Sequence, residues 1–173
     1  MPEENGLVLI AGIARDNLGR MVIGKDGDIP WRSVREDLKR FRKLTINHGV
    51  IMGRRTAEEL IGKGVFPLVG RKNIVLTSTA DFGKVYGENA ISAGSLEFAI
   101  ALAQGVNKDR TAYVIGGGSV YDATIGMATR LELTEFPWIV EGDTYFPQFG
   151  DEWGVVAEEE RLGGYAFRTY ARA

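Results

Sequence analysis

Apolar residues occur along this chain in short runs, separated by segments with helical or irregular patterns. Four runs have the length of a β-strand, and their continuous apolar character predicts strands buried on both faces. They span residues 7–14, 49–53, 73–77 and 111–115. Helical spacing predicts helices from residue 34 to about residue 47, over 95–104 with Ser95 as N-cap, and over 119–125, with a short amphipathic turn at 54–60.

The last third of the chain has the pattern of antiparallel strands. Residues 130–136 alternate strictly between polar and apolar side chains, which predicts a strand. Residues 154–159 and 165–171 flank a Leu-Gly-Gly turn and predict a closing hairpin. The whole pattern predicts an α/β fold: a mostly parallel mixed sheet with helices on both faces and a C-terminal antiparallel hairpin. We expect one domain at residues 7–173, preceded by a flexible tail at 1–6.

Two glycine-containing segments are predicted to be loops. Residues 15–28 contain Gly19, Gly24 and Gly27 ahead of a predicted helix. A segment of this length and composition is more typical of a mobile functional loop than of a plain connector. Residues 62–70 form the second predicted loop.

The helix predicted from residue 34 carries one carboxylate among its apolar side chains. Ser33 and Glu36 have capping-box spacing, so the helix should begin directly after Ser33. At helical spacing Asp37 shares a face with apolar residues, and the basic residues share the other. The first face holds Val34, Leu38, Phe41 and Leu44, and the second holds Arg35, Lys39, Arg40 and Lys43. Asp37 is therefore either an acid that awaits a ligand or a first-turn acid that interacts with the helix dipole.

Polar residues and glycines follow three of the predicted strands. Arg54, Arg55 and Thr56 follow the second, Ser78 follows the third, and Gly116–Ser119 follow the fourth. Guanidinium groups, hydroxyls and glycine backbone amides all suit phosphate, and ligands of such sheets bind at the carboxyl ends of the strands. Each signal alone also fits a solvated arginine pair or a tight turn. Together they favour a dinucleotide site, although neither G-x-G-x-x-G nor a Walker A motif is present.

Composition excludes several kinds of protein. The 173 residues carry a formal net charge of −2, which gives no reason to expect nucleic acid or a membrane surface as partner. There is no cysteine and one histidine, so disulfides, thiolate catalysis, a metal site and a Ser-His-Asp triad are not expected. His48 lies in a predicted turn and should be exposed. No apolar run approaches a spanning helix, so we expect a cytoplasmic protein.

Seven segments, in order and at matching spacing, resemble the dihydrofolate reductase family from residue 7 to the C-terminal hairpin. They are I-G-K-D-G-D-I-P-W (23–31), D-L-K-R-F (37–41), V-I-M-G-R-R-T (50–56), G-R-K-N-I-V-L (70–76), Y-V-I-G-G-G-S-V-Y (113–121), L-T (133–134) and E-G-D-T-Y-F-P (141–147). The resemblance implies a reductase that transfers hydride from NADPH to C6 of 7,8-dihydrofolate, with protonation at N5. It also implies that methotrexate and trimethoprim bind and that the protein is a monomer.

The resemblance assigns roles to individual residues. Asp37 matches the carboxylate that holds the pterin, Thr134 the hydroxyl that bonds this carboxylate, and Trp31 the tryptophan at the pocket mouth. Arg71 matches the arginine that clamps the glutamate tail of the substrate. The implied substrate-binding set is Ile10, Ala11, Asp37, Leu38, Phe41, Leu68, Arg71, Ile115, Tyr121 and Thr134.

The cofactor positions of the family fall on the strand ends and on one loop. Residues 24–29 match the lid loop that closes over the nicotinamide, and Gly116-Gly117 matches a cis peptide. Arg54, Arg55 and Ser78 would surround the 2′-phosphate that distinguishes NADPH from NADH. The implied cofactor-binding set is Ala11, Ile23, Gly24, Gly27, Asp28, Gly53, Arg54, Arg55, Thr56, Leu76, Thr77, Ser78, Ile115, Gly117, Gly118, Ser119, Val120 and Tyr121.

Two alternative functions fit part of this pattern. A reductase of riboflavin biosynthesis would have no use for Asp37 on the helix face together with Arg71 placed for a glutamate tail. A non-catalytic nucleotide-binding module would not need Asp37, Thr134 and Trp31 together. The chain also departs from the family: Ala57 replaces the usual aromatic residue, and Ser119 replaces a common basic one.

Overall fold

A computed structural model describes residues 6–173, and its central feature is one mixed sheet of ten strands. The main path of the sheet has the order β5-β4-β3-β6-β1-β7-β10-β9, and β2 and β8 extend it from β1. The strands are β1 Gly6–Arg15, β2 Met21–Gly24, β3 Gly49–Gly53, β4 Lys72–Leu76, β5 Ala90–Ala93, β6 Thr111–Gly116, β7 Arg130–Ile139, β8 Thr144–Tyr145, β9 Trp153–Glu160 and β10 Ala166–Arg172. The strands from β5 to β7 along this path are parallel, and β10 and β9 are antiparallel, which confirms the predicted mixed architecture.

Five α-helices and one 3-10 turn connect the described strands. The helices are α1 Arg35–Thr45, α2 Arg54–Gly62, α3 Phe82–Tyr86, α4 Leu96–Gln104 and α5 Gly118–Thr124, and the 3-10 turn is Ile125–Met127. Ser95 caps α4 as predicted, because its hydroxyl accepts the Phe98 amide hydrogen. Among the described residues, no helix has both the length and the apolar character needed to cross a membrane. Of the tail predicted at residues 1–6, residues 1–5 lie outside the described residues, and Gly6 belongs to β1 instead.

Five short elements were not predicted: β2, α3, β5, β8 and the 3-10 turn. The segment 15–28, expected to be a single loop, contains β2, which pairs with β1 and β8. The stretch 79–94 contains α3 and β5. These elements have two to five residues each, too few for a hydrophobic period to stand out, and they exist because longer neighbours supply their partners.

The start of α1 differs from the capping-box prediction. Val34 is the N-cap, and its side chain forms no capping hydrogen bond. Glu36 instead lies near the cations Lys39, at 3.6 Å, and Arg161, at 3.7 Å. Leu38, predicted to be buried, keeps 58% of its surface exposed because it lies at the open rim of a pocket.

The alternating strand β7 presents its polar face to a helix rather than to water. Leu131 and Leu133 are fully buried in the larger core cluster. Glu132 and Thr134, on the opposite face, are also buried, at 4% and 3% exposure. Both polar residues bond to side chains of α1, so the alternation marks two buried faces of different chemistry.

The prediction that His48 is exposed is wrong. Only 15% of its side chain is accessible, and its Nε2 lies 2.9 Å from Asp109 Oδ2. Its Nδ1 lies 2.8 Å from the Ile46 carbonyl oxygen, and the ring packs edge-on against Tyr113. The histidine therefore joins the turn after α1 to the loop before β6.

A glycine at the start of β3 allows α4 to pack directly on the sheet. A Cβ added to Gly49 would lie 2.5 Å from Ala103 Cα and 2.7 Å from Ala103 O, both backbone atoms. We expect Gly49→Ala to destabilise the protein by about 1–3 kcal/mol, because backbone must move to relieve this overlap. Urea unfolding measures the change. Gly62→Ala is the matched control: nothing lies within 4 Å of the added atom, and an unchanged or higher stability is expected there.

Candidate active site

Asp37 and Thr134 meet where α1 crosses β7. The Thr134 hydroxyl donates a 2.5 Å hydrogen bond to Asp37 Oδ1, so one carboxylate oxygen is held by the protein. Burial raises the pKa of Asp37, while the Thr134 bond and the nearby Arg40 cation oppose that shift. The second oxygen, Oδ2, is directed toward Gly12 on β1, where an added Cβ would come within 3.5 Å of it. The site thus holds a partly desolvated carboxylate with one oxygen free of a described hydrogen bond.

A pocket of about 210 Å³ opens in front of this carboxylate. Its wall combines apolar side chains of β1 and α1 with the two polar residues at the crossing. Predicted substrate residues in the lining are Ile10, Ala11, Asp37, Leu38, Phe41 and Thr134. A flat ring with hydrogen-bond donors along one edge would bury its faces against the apolar wall and pair that edge with the carboxylate.

Trp31 lies at one end of the pocket. Its ring packs against Phe136 at a centroid distance of 5.2 Å. A Cβ at Gly12 would approach Phe136 Cε2 to 3.3 Å and Trp31 Cζ2 to 3.6 Å. The glycine therefore leaves room for the indole beside the carboxylate.

Arg71 is a buried cation at the other end of the same region. It is 7% exposed, its Nε donates to the Val69 carbonyl at 3.0 Å, and its Nη1 donates to Thr45 Oγ1 at 3.2 Å. Burial, together with the neighbouring Arg42, lowers its pKa. Within the described part of the chain no carboxylate forms an ion pair with this guanidinium. A buried cation of this kind is suited to an anionic ligand group.

Leu68 and Ile115 lie in the apolar cluster around Phe41 that connects the pocket with Arg71. The backbone of Leu68 is fixed by Asn73, whose side chain accepts from the Leu68 amide at 2.9 Å and donates to its carbonyl at 3.0 Å. Asn73 is fully buried on β4. These two hydrogen bonds set the position of the loop 63–71 over the sheet.

The three strand ends predicted to bind a dinucleotide lie side by side. In the sheet β6, β3 and β4 are neighbours, and Gly53 is in register with Leu76. The side chain of Arg54 donates to Thr79 Oγ1 at 2.6 Å and to Glu58 Oε1 at 2.9 Å. The predicted phosphate-side residues that are exposed at this edge are Arg54, Arg55, Ser78 and Ser119, while Thr56, Leu76 and Thr77 are half-buried.

The glycine triplet packs closely under the neighbouring elements. The Gly116-Gly117 peptide is cis, as predicted. An added Cβ would lie 3.4 Å from Thr56 Oγ1 at Gly117, and 3.2 Å from Val120 Cγ2 at Gly53. Tyr121 is buried, and its hydroxyl donates a 2.6 Å hydrogen bond to the Ile10 carbonyl, so it links the glycine triplet to the pocket wall.

The predicted lid, residues 24–29, is held from two sides. On one side the Asp26 amide donates to Asp143 Oδ2 at 2.9 Å, and the Asp143 amide donates to the Gly24 carbonyl at 3.0 Å. On the other side Lys63 pairs with Asp28 at 2.6 Å. Two predicted cofactor residues, Gly24 and Asp28, are thus engaged in lid contacts, Ile23 precedes the lid on β2, and Gly27 lies exposed opposite α2.

Three site residues were missed by the sequence analysis. Gly12 was one residue of an apolar run, and Thr79 follows a predicted contact residue without any motif of its own. Arg40 was assigned to the basic face of α1, opposite Asp37, yet its side chain lines the pocket and is 20% exposed. Its i, i+3 spacing from Asp37 was the available signal.

Comparison with known proteins agrees with this geometry. The family profile described as Dihydrofolate reductase matches residues 7–172. The chain is 39% identical over 168 residues to dihydrofolate reductase HdrB of Haloferax volcanii, covering 95% of this chain and 82% of the relative. It is 39% identical over 155 residues to a dihydrofolate reductase of Mycobacterium tuberculosis (87% and 89% covered), and 37% identical over 172 residues to that of Neisseria meningitidis serogroup B (96% and 98% covered). The chain therefore belongs to the dihydrofolate reductase family.

Proposed function

We propose that this protein reduces 7,8-dihydrofolate to 5,6,7,8-tetrahydrofolate with NADPH, by hydride transfer to C6 and protonation of N5. The observation that carries the proposal is the Asp37 carboxylate, which lies in an apolar pocket and has, among the described residues, one oxygen bonded and one without a hydrogen bond. The substrate of the family supplies a matching pair of N–H donors, the 2-amino group and N3 of the pterin. Membership of the family supports reduction of dihydrofolate as the reaction.

Asp37 acts by holding and polarising the pterin. Its two oxygens would accept both donors at the pterin edge, with Thr134 fixing the orientation of the carboxylate. N5 lies across the ring from the anchored edge, so water rather than Asp37 would deliver the proton. The carboxylate favours the tautomer and charge that make N5 basic enough to accept it.

The strand-end cleft suits a nicotinamide dinucleotide. Glycines 53 and 117 leave the backbone open where a Cβ would approach Val120 and Thr56. Arg54 presents a guanidinium to the hydroxyl of Thr79, and phosphate oxygens could replace the hydroxyl or Glu58 as its partners. When bound, NADPH supplies the hydride. Ala11 and Ile115 would pack against the nicotinamide, and the lid at residues 24–29 would exclude water from it.

The first test is an assay that follows the loss of NADPH absorbance after purified protein is mixed with NADPH and dihydrofolate. Fast oxidation that stops on addition of methotrexate or trimethoprim is the expected result. NADPH binding without turnover would contradict the assignment of dihydrofolate as the substrate, but it would still support the proposed cofactor site. Turnover on a pyrimidine intermediate of riboflavin synthesis instead would favour the rival reductase. Size-exclusion chromatography of the same preparation tests whether the protein is a monomer, as proposed. A cytoplasmic location stays a prediction.

Preference for NADPH over NADH is expected to depend on Arg54. Arg54→Gln removes a cation from the proposed 2′-phosphate contact, and a charge-assisted hydrogen bond of this kind contributes about 1.5–3 kcal/mol. We expect KM for NADPH to rise roughly 10-fold to 100-fold while KM for NADH stays unchanged. Steady-state kinetics with both cofactors measure this. Lys84→Gln, at an exposed position of helix α3, is the control for a general loss of positive charge. An equal rise in KM for both cofactors in Arg54→Gln would contradict the assignment of Arg54 to the 2′-phosphate.

A further inference from the structure

We propose that Arg40 and Glu132 form a partly buried ion pair that positions the Asp37 carboxylate and keeps it ionised. Arg40 lies one turn after Asp37 on α1, and Glu132 lies two residues before Thr134 on β7. The inference rests on the proposed function, because it assigns these residues to the acid that would hold the substrate. Arg40 is a positioning residue here, since it acts through Asp37.

The Arg40–Glu132 ion pair and the Asp37–Thr134 hydrogen bond are two neighbouring contacts that join α1 to β7. Arg40 Nη2 lies 2.5 Å from Glu132 Oε2, and Thr134 Oγ1 lies 2.5 Å from Asp37 Oδ1. A spacing of three on a helix is about 4.5 Å of rise, and a spacing of two on a strand is about 6.6 Å. Two side-chain contacts of this kind fix both the rotation and the height of α1 over β7. The carboxylate is thereby held at one position relative to the pocket floor.

Glu132 has more partners than a structural ion pair requires. It is 4% exposed and accepts a second hydrogen bond from the Thr169 hydroxyl at 2.8 Å. Arg130 Nε lies 3.0 Å from its other oxygen, although that N–H is not directed at an acceptor. The Arg40 guanidinium also lies 4.7 Å from the centre of the Phe167 ring. These contacts hold both charges at the crossing point.

The charge count of this cluster depends on Asp37. Arg40 and Arg130 carry two positive charges against the single negative charge of Glu132, so one positive charge is left over. An ionised Asp37 makes the cluster neutral, whereas a protonated Asp37 leaves it with a charge of plus one. Glu132 is almost fully shielded from water and Arg40 is 20% exposed, so the neutral arrangement is favoured and opposes the effect of burial on this acid, while the more exposed Arg130 contributes less.

The other charged groups on neighbouring elements lie outside this cluster. Arg71 is bonded to Val69 and Thr45 at the far end of α1, and Asp109, near Tyr113, lies against His48. Glu36 pairs with Lys39 and Arg161 on the outer side of α1, where all three are at least one-third exposed. Tyr113 lies beside Arg130, and burial raises the pKa of its hydroxyl, so it stays neutral at physiological pH. From β1 the neighbours are Ile10 and Gly12, which carry no charge. From β10 they are Phe167 and the Thr169 hydroxyl.

The test is an NMR titration of the Asp37 carboxyl carbon in the full protein, with Asp37→Asn used to assign the signal. Arg40→Met removes the cation and keeps most of the stem, and we expect the pKa of Asp37 to rise by about one unit. Glu132→Gln leaves both guanidinium groups without their counter-charge, and the pKa should fall by a similar amount. Arg40→Lys should keep the wild-type value within about 0.3 units. Lys39→Met, with a side chain 58% exposed on the same helix, is the control and should cause no shift.

Opposite shifts in Arg40→Met and Glu132→Gln would establish the electrostatic role, because a purely structural pair gives no reason for a change of sign. An unchanged pKa in a folded Arg40→Met variant would overturn the proposal. If that variant does not fold, an unchanged pKa in Glu132→Gln has the same meaning. The titration needs neither substrate nor turnover, so its failure is distinct from failure of the dihydrofolate assay.

Discussion

Asp37→Asn is expected to lose most turnover with dihydrofolate while NADPH still binds. The amide presents an N–H where the pterin edge needs an acceptor, so the paired hydrogen bond is lost together with the negative charge. We expect kcat/KM for dihydrofolate to fall roughly 100-fold to 10,000-fold at neutral pH. The loss should be smaller at acidic pH, where the substrate is already protonated. Steady-state kinetics across pH and fluorescence titration with NADPH measure the two effects separately.

The same substitution is expected to make the free protein more stable at neutral pH. Burial raises the folded-state pKa of Asp37 above its ordinary value of 3.8. A carboxyl group with a raised folded pKa contributes stability below its unfolded pKa and loses that contribution as pH rises through the folded value. Asn does not titrate, so the difference in melting temperature between variant and wild type should grow with pH over this window and then level off.

Glu36→Gln is the control for both effects, because Glu36 is the adjacent acid on the outer side of α1. It should retain turnover and show no gain in stability in that pH window. Wild-type turnover in Asp37→Asn at neutral pH would contradict the assignment of Asp37 as the substrate-binding acid. A melting temperature that falls instead of rising would show that the carboxylate stabilises the free fold.

Arg71→Leu is expected to raise KM for dihydrofolate about 30-fold to 150-fold with little change in kcat. The buried guanidinium is fixed by Val69 and Thr45 and has no acidic partner among the described residues, so the glutamate tail would supply the missing carboxylate. Loss of a charge-assisted pair of hydrogen bonds costs about 2–3 kcal/mol. The tail lies away from the reacting ring, so ground state and transition state should be affected alike. Steady-state kinetics at saturating NADPH separate KM from kcat.

A reduced pterin without the benzoylglutamate tail is the matched control for Arg71. This truncated substrate should be reduced slowly, and wild type and Arg71→Leu should reduce it at the same rate. Arg71→Lys should lie between them, because an ammonium group keeps the charge and loses the planar fork. Equal losses for the full and the truncated substrate would contradict a tail-specific role and would indicate a displaced pocket wall.

Residues whose signal is local could be predicted from the sequence. Asp37 was found because a carboxylate interrupts an apolar helical face, and the strand-end arginines and glycines were found because parallel strands end at one edge of a sheet. Glu132 and Gly12 carry no such local signal, and the local signal of Arg40 is limited to its i, i+3 spacing from Asp37. Arg40 and Glu132 lie 92 positions apart, and only the packing of α1 on β7 brings them together. Gly12 has meaning only beside the rings of Trp31 and Phe136.

The sequence by itself determined the fold class and the long strands and helices, because each is expressed in a period or a run of a few residues. The substrate and cofactor residues follow from the family resemblance and stay predictions. The tertiary structure alone decided which polar residues are buried. The alternation in β7 would place Glu132 and Thr134 in water if nothing covered that face, and α1 covers it. It also decided that His48 is enclosed and that Leu38 stays exposed. Burial depends on what packs against a face, and that contact joins segments far apart in the chain.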